Sequence, residues 1–217
     1  LSIPKFAGDR YRNVANFGIG TLALLVAALT FLASMFWAGP LRAHDIPTDV
    51  TVQAFLKPEG HTLRLLVRLP LKTVMDVEFA RKERDFVDLS RVDPALDDTA
   101  KVMLSNNLEI YEGDHLLPAP RIVSTRMSLD SDRSFAAYDT ALAHVMGPKL
   151  PNETTIYWEQ GIMDVLLEYP IESDQSKFSV HAAFDKFALK TITALQFMPP
   201  NGASRAYALE GDAGLVR

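Results

Sequence analysis

VTVQAFLKPEGHTLRLLVRLP, residues 50–70, decides how the chain folds. Val50, Val52, Ala54 and Leu56 alternate with Asp49, Thr51 and Gln53. Leu63, Leu65, Val67 and Leu69 alternate with Thr62, Arg64 and Arg68. A period of two puts the apolar set on one side of an extended chain, so each half reads as a strand with one face in a core. Lys57-Pro58-Glu59-Gly60 between them has the residues of a turn. The stretch predicts an antiparallel hairpin, with strands over 48–56 and 61–69 and a stop at Pro70.

The same pattern recurs downstream. Strands are predicted at 108–111 and 115–117 around Glu112-Gly113-Asp114, and at 121–129, 154–159, 162–169, 178–184, 191–197 and 205–209. Thr73 to Asp88 reads as a long charged loop with one short strand. Asp93-Pro94 opens a helix, aspartate as cap and proline at the first position. Leu96, Ala100, Met103 and Leu104 continue it at helical spacing, and Asn106-Asn107 closes it. Phe135 to Met146 predicts a second short helix with Phe135, Tyr138, Leu142 and Val145 on one face; a strand crossing the sandwich is the other reading. The expected fold is mainly β, an antiparallel immunoglobulin-like β-sandwich with one or two short helices, preceded by an N-terminal hydrophobic helix. Sheet edges of such a fold can pair with another protein.

That preceding helix is Phe17 to Ala38, FGIGTLALLVAALTFLASMFWA, and no charge falls between Arg12 and Arg42. It exceeds the roughly 20 apolar residues that span a bilayer. Lys5, Arg10 and Arg12 against the single acid Asp9 keep the N-terminus cytoplasmic, so the rest is expected outside, in the periplasm. Gly39-Pro40 breaks the helix, and Ala43 suits a signal-peptidase cut. Residues 1–43 are therefore a signal peptide or a retained membrane anchor, 44–210 an extracytoplasmic β-sandwich domain, and 211–217 a tail without a core residue.

The chain carries a net charge of −5, and residues 1–43 hold four basic residues against the single acid Asp9, so the exported part is more acidic still. That argues against nucleic acid as a partner, which demands a basic face. The absence of cysteine excludes disulfides, thiolate metal sites and cysteine catalysis. The sequence contains no G-x-S-x-G, H-E-x-x-H, Walker or G-x-G-x-x-G pattern, so no catalytic or organic-cofactor residue is assigned and no enzyme is expected.

The histidines are His44, His61, His115, His144 and His181, and no two stand at a short ligand spacing. His44 differs because a cut after Ala43 makes it the new N-terminus. Its amine and imidazole can then chelate one ion, and copper(II) or nickel(II) favours such nitrogen sets. Asp45 could add an oxygen, and His61, His115 or His181 a further ligand.

Ala43-His44-Asp45-Ile46-Pro47 after an apolar segment, then Val50 to Leu71, DRSFAAYDTALAHV (Asp132 to Val145) and LLEYPI (Leu166 to Ile171), resemble the N-terminal exported region of HupE/UreJ-like membrane proteins. In that family the region precedes a multi-spanning membrane domain related to nickel and cobalt permeases. This chain stops at Leu215-Val216-Arg217, about where that domain begins, so none of the permease's metal motif falls on these residues. The resemblance implies an accessory or sensing domain of a transporter, linked to transition-metal uptake and tethered to a C-terminal membrane domain or protein partner. The other readings are a periplasmic copper- or nickel-binding domain using His44, and a protein-interaction module.

Overall fold

The hairpin read from residues 50–70 is the centre of the molecule. The computed structural model describes residues 50–74, 77–83, 85–104, 107–183 and 191–216. The apolar stretch Phe17–Ala38, the cut after Ala43, and His44 and Asp45 lie outside the described residues. Strand β1 spans Val50–Glu59 and β2 spans Thr62–Pro70. Both strands run further than the turn residues suggested, since Lys57 pairs with Arg64, Pro58 with Leu63 and Glu59 with Thr62. Only Gly60 and His61 remain as the loop. Gly60 has φ 60°, the positive value that a two-residue hairpin turn demands and that a residue without Cβ adopts freely.

Ten further strands follow among the described residues: β3 Arg81–Lys82, β4 Phe86–Val87, β5 Leu108–Glu112, β6 His115–Leu116, β7 Arg121–Leu129, β8 Gly161–Pro170, β9 Phe178–Ala183, β10 Thr191–Phe197, β11 Arg205–Glu210 and β12 Asp212–Val216. They form a six-stranded sheet in the order β11-β10-β1-β2-β8-β7, a four-stranded sheet in the order β12-β9-β5-β6, and the small pair β3-β4. The fold is mainly β and its ladders are antiparallel, except that β1 runs parallel to β10. All described strands belong to one compact unit, Ile46–Arg217.

The larger sheets share one core. Leu56, Leu63, Leu65 and Val67 of the hairpin meet Leu108, Ile110, Val180 and Ala182 of the smaller sheet. Burying each such leucine contributes about 1.5–3 kcal/mol relative to leaving it exposed. Helix α1, Asp93–Thr99, extended by a π-helical turn Ala100–Leu104, adds Leu96 and Ala100 to this core. Its start differs by one residue from expectation. Val92 occupies the capping position without a side-chain cap, while Asp93 sits in the first turn and pairs with Lys149 at 2.7 Å. Negative charge is favoured there by the helix dipole even without a cap.

The opposite face of the six-stranded sheet is covered too. Helix α2, Tyr138–Met146, lays Tyr138, Ala141 and Val145 on Phe55, Leu66 and Leu166, forming a second apolar cluster with Phe135. Phe55 meets Phe135 at 6.0 Å and Tyr138 edge-on at 6.2 Å.

Two expectations are corrected. Residues 154–159 are not a strand: Tyr157 makes one isolated bridge to Phe86, and Trp158–Gln160 is a 3-10 turn. Thr154 to Tyr157 has strand-forming side chains, but its neighbour β4 is two residues long and already pairs with β3. Residues 211–216 of the expected tail are not loose either. Strand β12 pairs with β9 and packs Val216 against the core. Gly211, at φ 56°, lets the chain turn from β11 in one sheet to β12 in the other. Among the described residues no helix is long and apolar enough to cross a membrane.

Candidate functional site

Two places concentrate chemistry. The first lies on the face of the six-stranded sheet that α2 covers. Register sets Gln53, Arg68, Asp164 and Arg126 in one row across β1, β2, β8 and β7. Asp164 is 0 % exposed, and Arg68 and Arg126 on its two sides are 7 % and 4 % exposed. Arg68 grips Asp164 with two parallel bonds, Nε to Oδ1 and Nη2 to Oδ2, each 2.7 Å. The same Nη2 donates to Asp132 Oδ1 at 2.8 Å, and the guanidinium lies 4.2 Å from the centre of the Phe135 ring. Arg126 donates through Nη1 to the carbonyl of His144 in the last turn of α2, where the dipole favours a cation.

Burial alone would raise the Asp164 carboxyl, but hydrogen bonds from Arg68 and His144 outweigh it and hold the group below its ordinary range. For Asp132 too, desolvation works upward, and bonds from Ser134 and Arg68 overcome it to hold the carboxyl far below its usual value. Desolvation pushes Arg126 down, against the attraction of Asp164 and Asp132.

This cluster contains a serine, a histidine and an aspartate in sequence, and its geometry decides against nucleophilic catalysis. Ser128 Oγ lies 2.8 Å from His144 Nε2, and His144 Nδ1 lies 3.5 Å from Asp132 Oδ2. The second distance exceeds a hydrogen bond. Ser128 is 1 % exposed, and its hydroxyl donates to Asp164 Oδ2 at 2.6 Å. A nucleophile must give its proton to the base and meet substrate. This one gives it to a buried carboxylate behind a helix.

The second place is open. A groove of about 680 Å³ lies between the sheets, with Leu56 and Leu195 of the larger sheet and Val180 of the smaller one in its floor. Phe178 and Phe197 also line it, their rings 6.4 Å apart and tilted by 57°. Tyr207 of β11 and Val216 of β12 form its walls, and Asp114, Asp174, Lys177, Asn201 and Arg205 bring polar groups to it. Loops distant in sequence are tied together at its rim. Gly60 N–H donates to Asp174 Oδ2 at 2.9 Å, Gly113 N–H to the Lys177 carbonyl at 2.7 Å, and Asn201 Nδ2 to Gln175 Oε1 at 3.1 Å. Glu112 accepts the amides of Glu172 and Ser173 at 2.9 and 3.0 Å. The Gly60 amide holds the Asp174 carboxyl below its ordinary range. Such cross-ties preform a site before anything enters it.

Of the expected metal residues, the three among the described residues stand on separate elements. His61 is the second residue of the β1–β2 turn, and its carbonyl accepts from the Ile171 amide. His115 opens β6 opposite Glu112 and is exposed. His181 stands on β9, with Nε2 2.8 Å from Asp212 and Nδ1 3.4 Å from Glu109. Asp212 first, then Glu109, raises its pKa, and a protonated ring donates from both nitrogens. Among the described residues no group of three or more His, Asp or Glu side chains is placed to hold a metal ion. Sequence reading missed Arg68, Arg126, Ser128, Asp132 and Asp164. The available signal was a lone aspartate inside the apolar run GIMDVLL, with basic residues on neighbouring strands. No protein-family model matches the chain, and no curated protein matches it.

Proposed function

We propose that the chain is a non-enzymatic extracytoplasmic accessory or sensing domain that binds a ligand beside a membrane transporter of the HupE/UreJ-like kind. The observation that carries this reading is the preformed groove between the sheets, whose floor is apolar and whose rim is charged. Its volume lies within the range of about 300–1,000 Å³ that small-molecule sites occupy. The Ser128–His144–Asp132 arrangement supports binding over turnover, because its serine is sealed under α2. The apolar stretch Phe17–Ala38 with its basic N-terminal flank supports the placement outside the cytoplasm. Two sheets sharing one core support the immunoglobulin-like sandwich. The transition-metal link comes from the resemblance alone.

The Ile46–Arg217 unit, whose core is built from its own residues, is screened by thermal melting against organic anions, organic cations and divalent metal ions. Ester and glycoside hydrolysis are assayed beside it. Saturable stabilisation without turnover is expected. Turnover, or stabilisation by nothing in the screen, overturns the reading. A reporter active only outside the cytoplasm, inserted at the exposed Asn201-Gly202 turn of the full chain, is expected to be active.

A further inference from the structure

We infer that the groove binds an anionic amphiphile: a small molecule with one acidic group and an apolar body. This rests on the binding-module reading and specifies its ligand. Among the described residues seven lysines and arginines hold a carboxylate; Lys72, Lys82, Arg91, Arg126 and Arg133 make no ion pair, and none of those five lines the groove. Lys57 and Arg64 hold Glu59, Arg68 holds Asp164, Arg121 holds Glu168, and Lys149 holds Asp93. Lys177 and Arg205 both line the groove, both are exposed, and among the described residues neither has a carboxylate partner. In a chain of net charge −5, two uncommitted cations at one groove mark a place for an anion that the protein does not supply.

The carboxylates at the rim do not fill that role. Asp174 already accepts the Gly60 amide and the Gln175 side chain, both at 2.9 Å. Asp114 sits in the exposed turn between β5 and β6.

The apolar body follows from the walls. Phe178, Phe197 and Tyr207 line the same groove as the two cations and are half-buried, so part of each stays uncovered there. Aromatic side chains release large apolar area on burial, and a ligand that covers them gains that term. The body also has a stop. Leu56, Val180 and Leu195 separate the groove from a void of about 10 Å³ in the core, which has room for no more than one water.

The test titrates the Ile46–Arg217 unit by calorimetry with octanoate, octyl phosphate, octylamine and octanol, all below their micelle concentrations. The two acids distinguish a carboxylate from a phosphate head. At least one acid is expected to bind saturably and about tenfold or more tighter than octylamine, more weakly as salt rises. The double variant Lys177→Gln/Arg205→Gln is expected to lose that tenfold preference while melting like the parent, since both side chains are exposed. Amide shift changes on binding should centre on Phe178, Phe197 and Tyr207. Equal affinity for octanoate and octylamine, undiminished acid binding by the double variant, or shift changes centred elsewhere each overturn the inference. Binding of the whole series without regard to charge removes the inference and leaves the sensing reading standing. A blank result for every compound of the wider screen removes both.

Discussion

Replacing Asp164 by asparagine tests whether the buried row carries the energy that its geometry implies. The carboxylate accepts two bonds from Arg68, one from Ser128 and a contact at 3.2 Å from His144 Nε2, at a site with no solvent exposure. Asparagine keeps the size, removes the charge and turns one acceptor into a donor facing other donors. Arg68 and Arg126 then remain as two buried cations with only the partly exposed Asp132 to compensate them. Breaking a buried pair in this way costs about 3–5 kcal/mol. With a urea dependence of about 2–3 kcal/mol/M, the unfolding midpoint should fall by about 1–2 M. The internal control is Glu168→Gln, four residues along the same strand. Glu168 also lies between two arginines, Arg64 and Arg121, but their side chains are 33 % and 70 % exposed. Exposed pairs are worth about 0.2–1 kcal/mol, so its midpoint should barely move. Urea unfolding followed by circular dichroism measures both. An unchanged midpoint for Asp164→Asn, or equal losses for the two variants, refutes the assignment of the energy to burial.

The same row sets the response to acid. Asp164 and Asp132 have folded-state pKa values below the ordinary one, so the unfolded chain takes up protons first as pH drops. Their contribution is complete above the ordinary carboxylate value of about 4 and is lost as pH falls below it, and Asp164→Asn should flatten that part of the stability–pH curve. Phe55→Ala empties the cluster beneath α2 and should cost about 3–5 kcal/mol, read from the melting transition. At Gly147 an added Cβ would stand 2.9 Å from the Ala143 carbonyl oxygen, so Gly147→Ala should destabilise by about 1–3 kcal/mol in the same assay. For the metal reading, copper and nickel titrations of the mature chain and of His44→Ala should differ if His44 is a ligand; identical affinities exclude it.

What the sequence showed and what it hid divide along the two faces of the six-stranded sheet. Alternation placed Leu56, Leu63, Leu65 and Val67 in the core correctly, because a period of two separates faces whatever covers them. It could not say that the other face is covered as well. Arg64 and Arg68 both read as solvent-facing, yet Arg64 is one-third exposed and Arg68 is buried. The difference comes from α2 and the turn at Ser134–Ala136, more than sixty residues away in the chain, which close over one end of the strands. The groove was hidden for the same reason. Its residues come from five separate strands and three turns, and no local spacing joins them. Covering a face changes what its charges must do. Along β8 the two acidic residues of that face meet opposite demands. Glu168, near the open end, shares two exposed arginines at little cost or gain. Asp164, under the helix, must satisfy its neighbours completely, because water is not there to do so. Arg126 shows the limit of that arrangement. Its Nε finds no hydrogen-bond partner among the described residues, and its charge is sustained by Asp164 and Asp132. The row is therefore one electrostatic unit, and loss of its single fully buried acid should be felt on both sides.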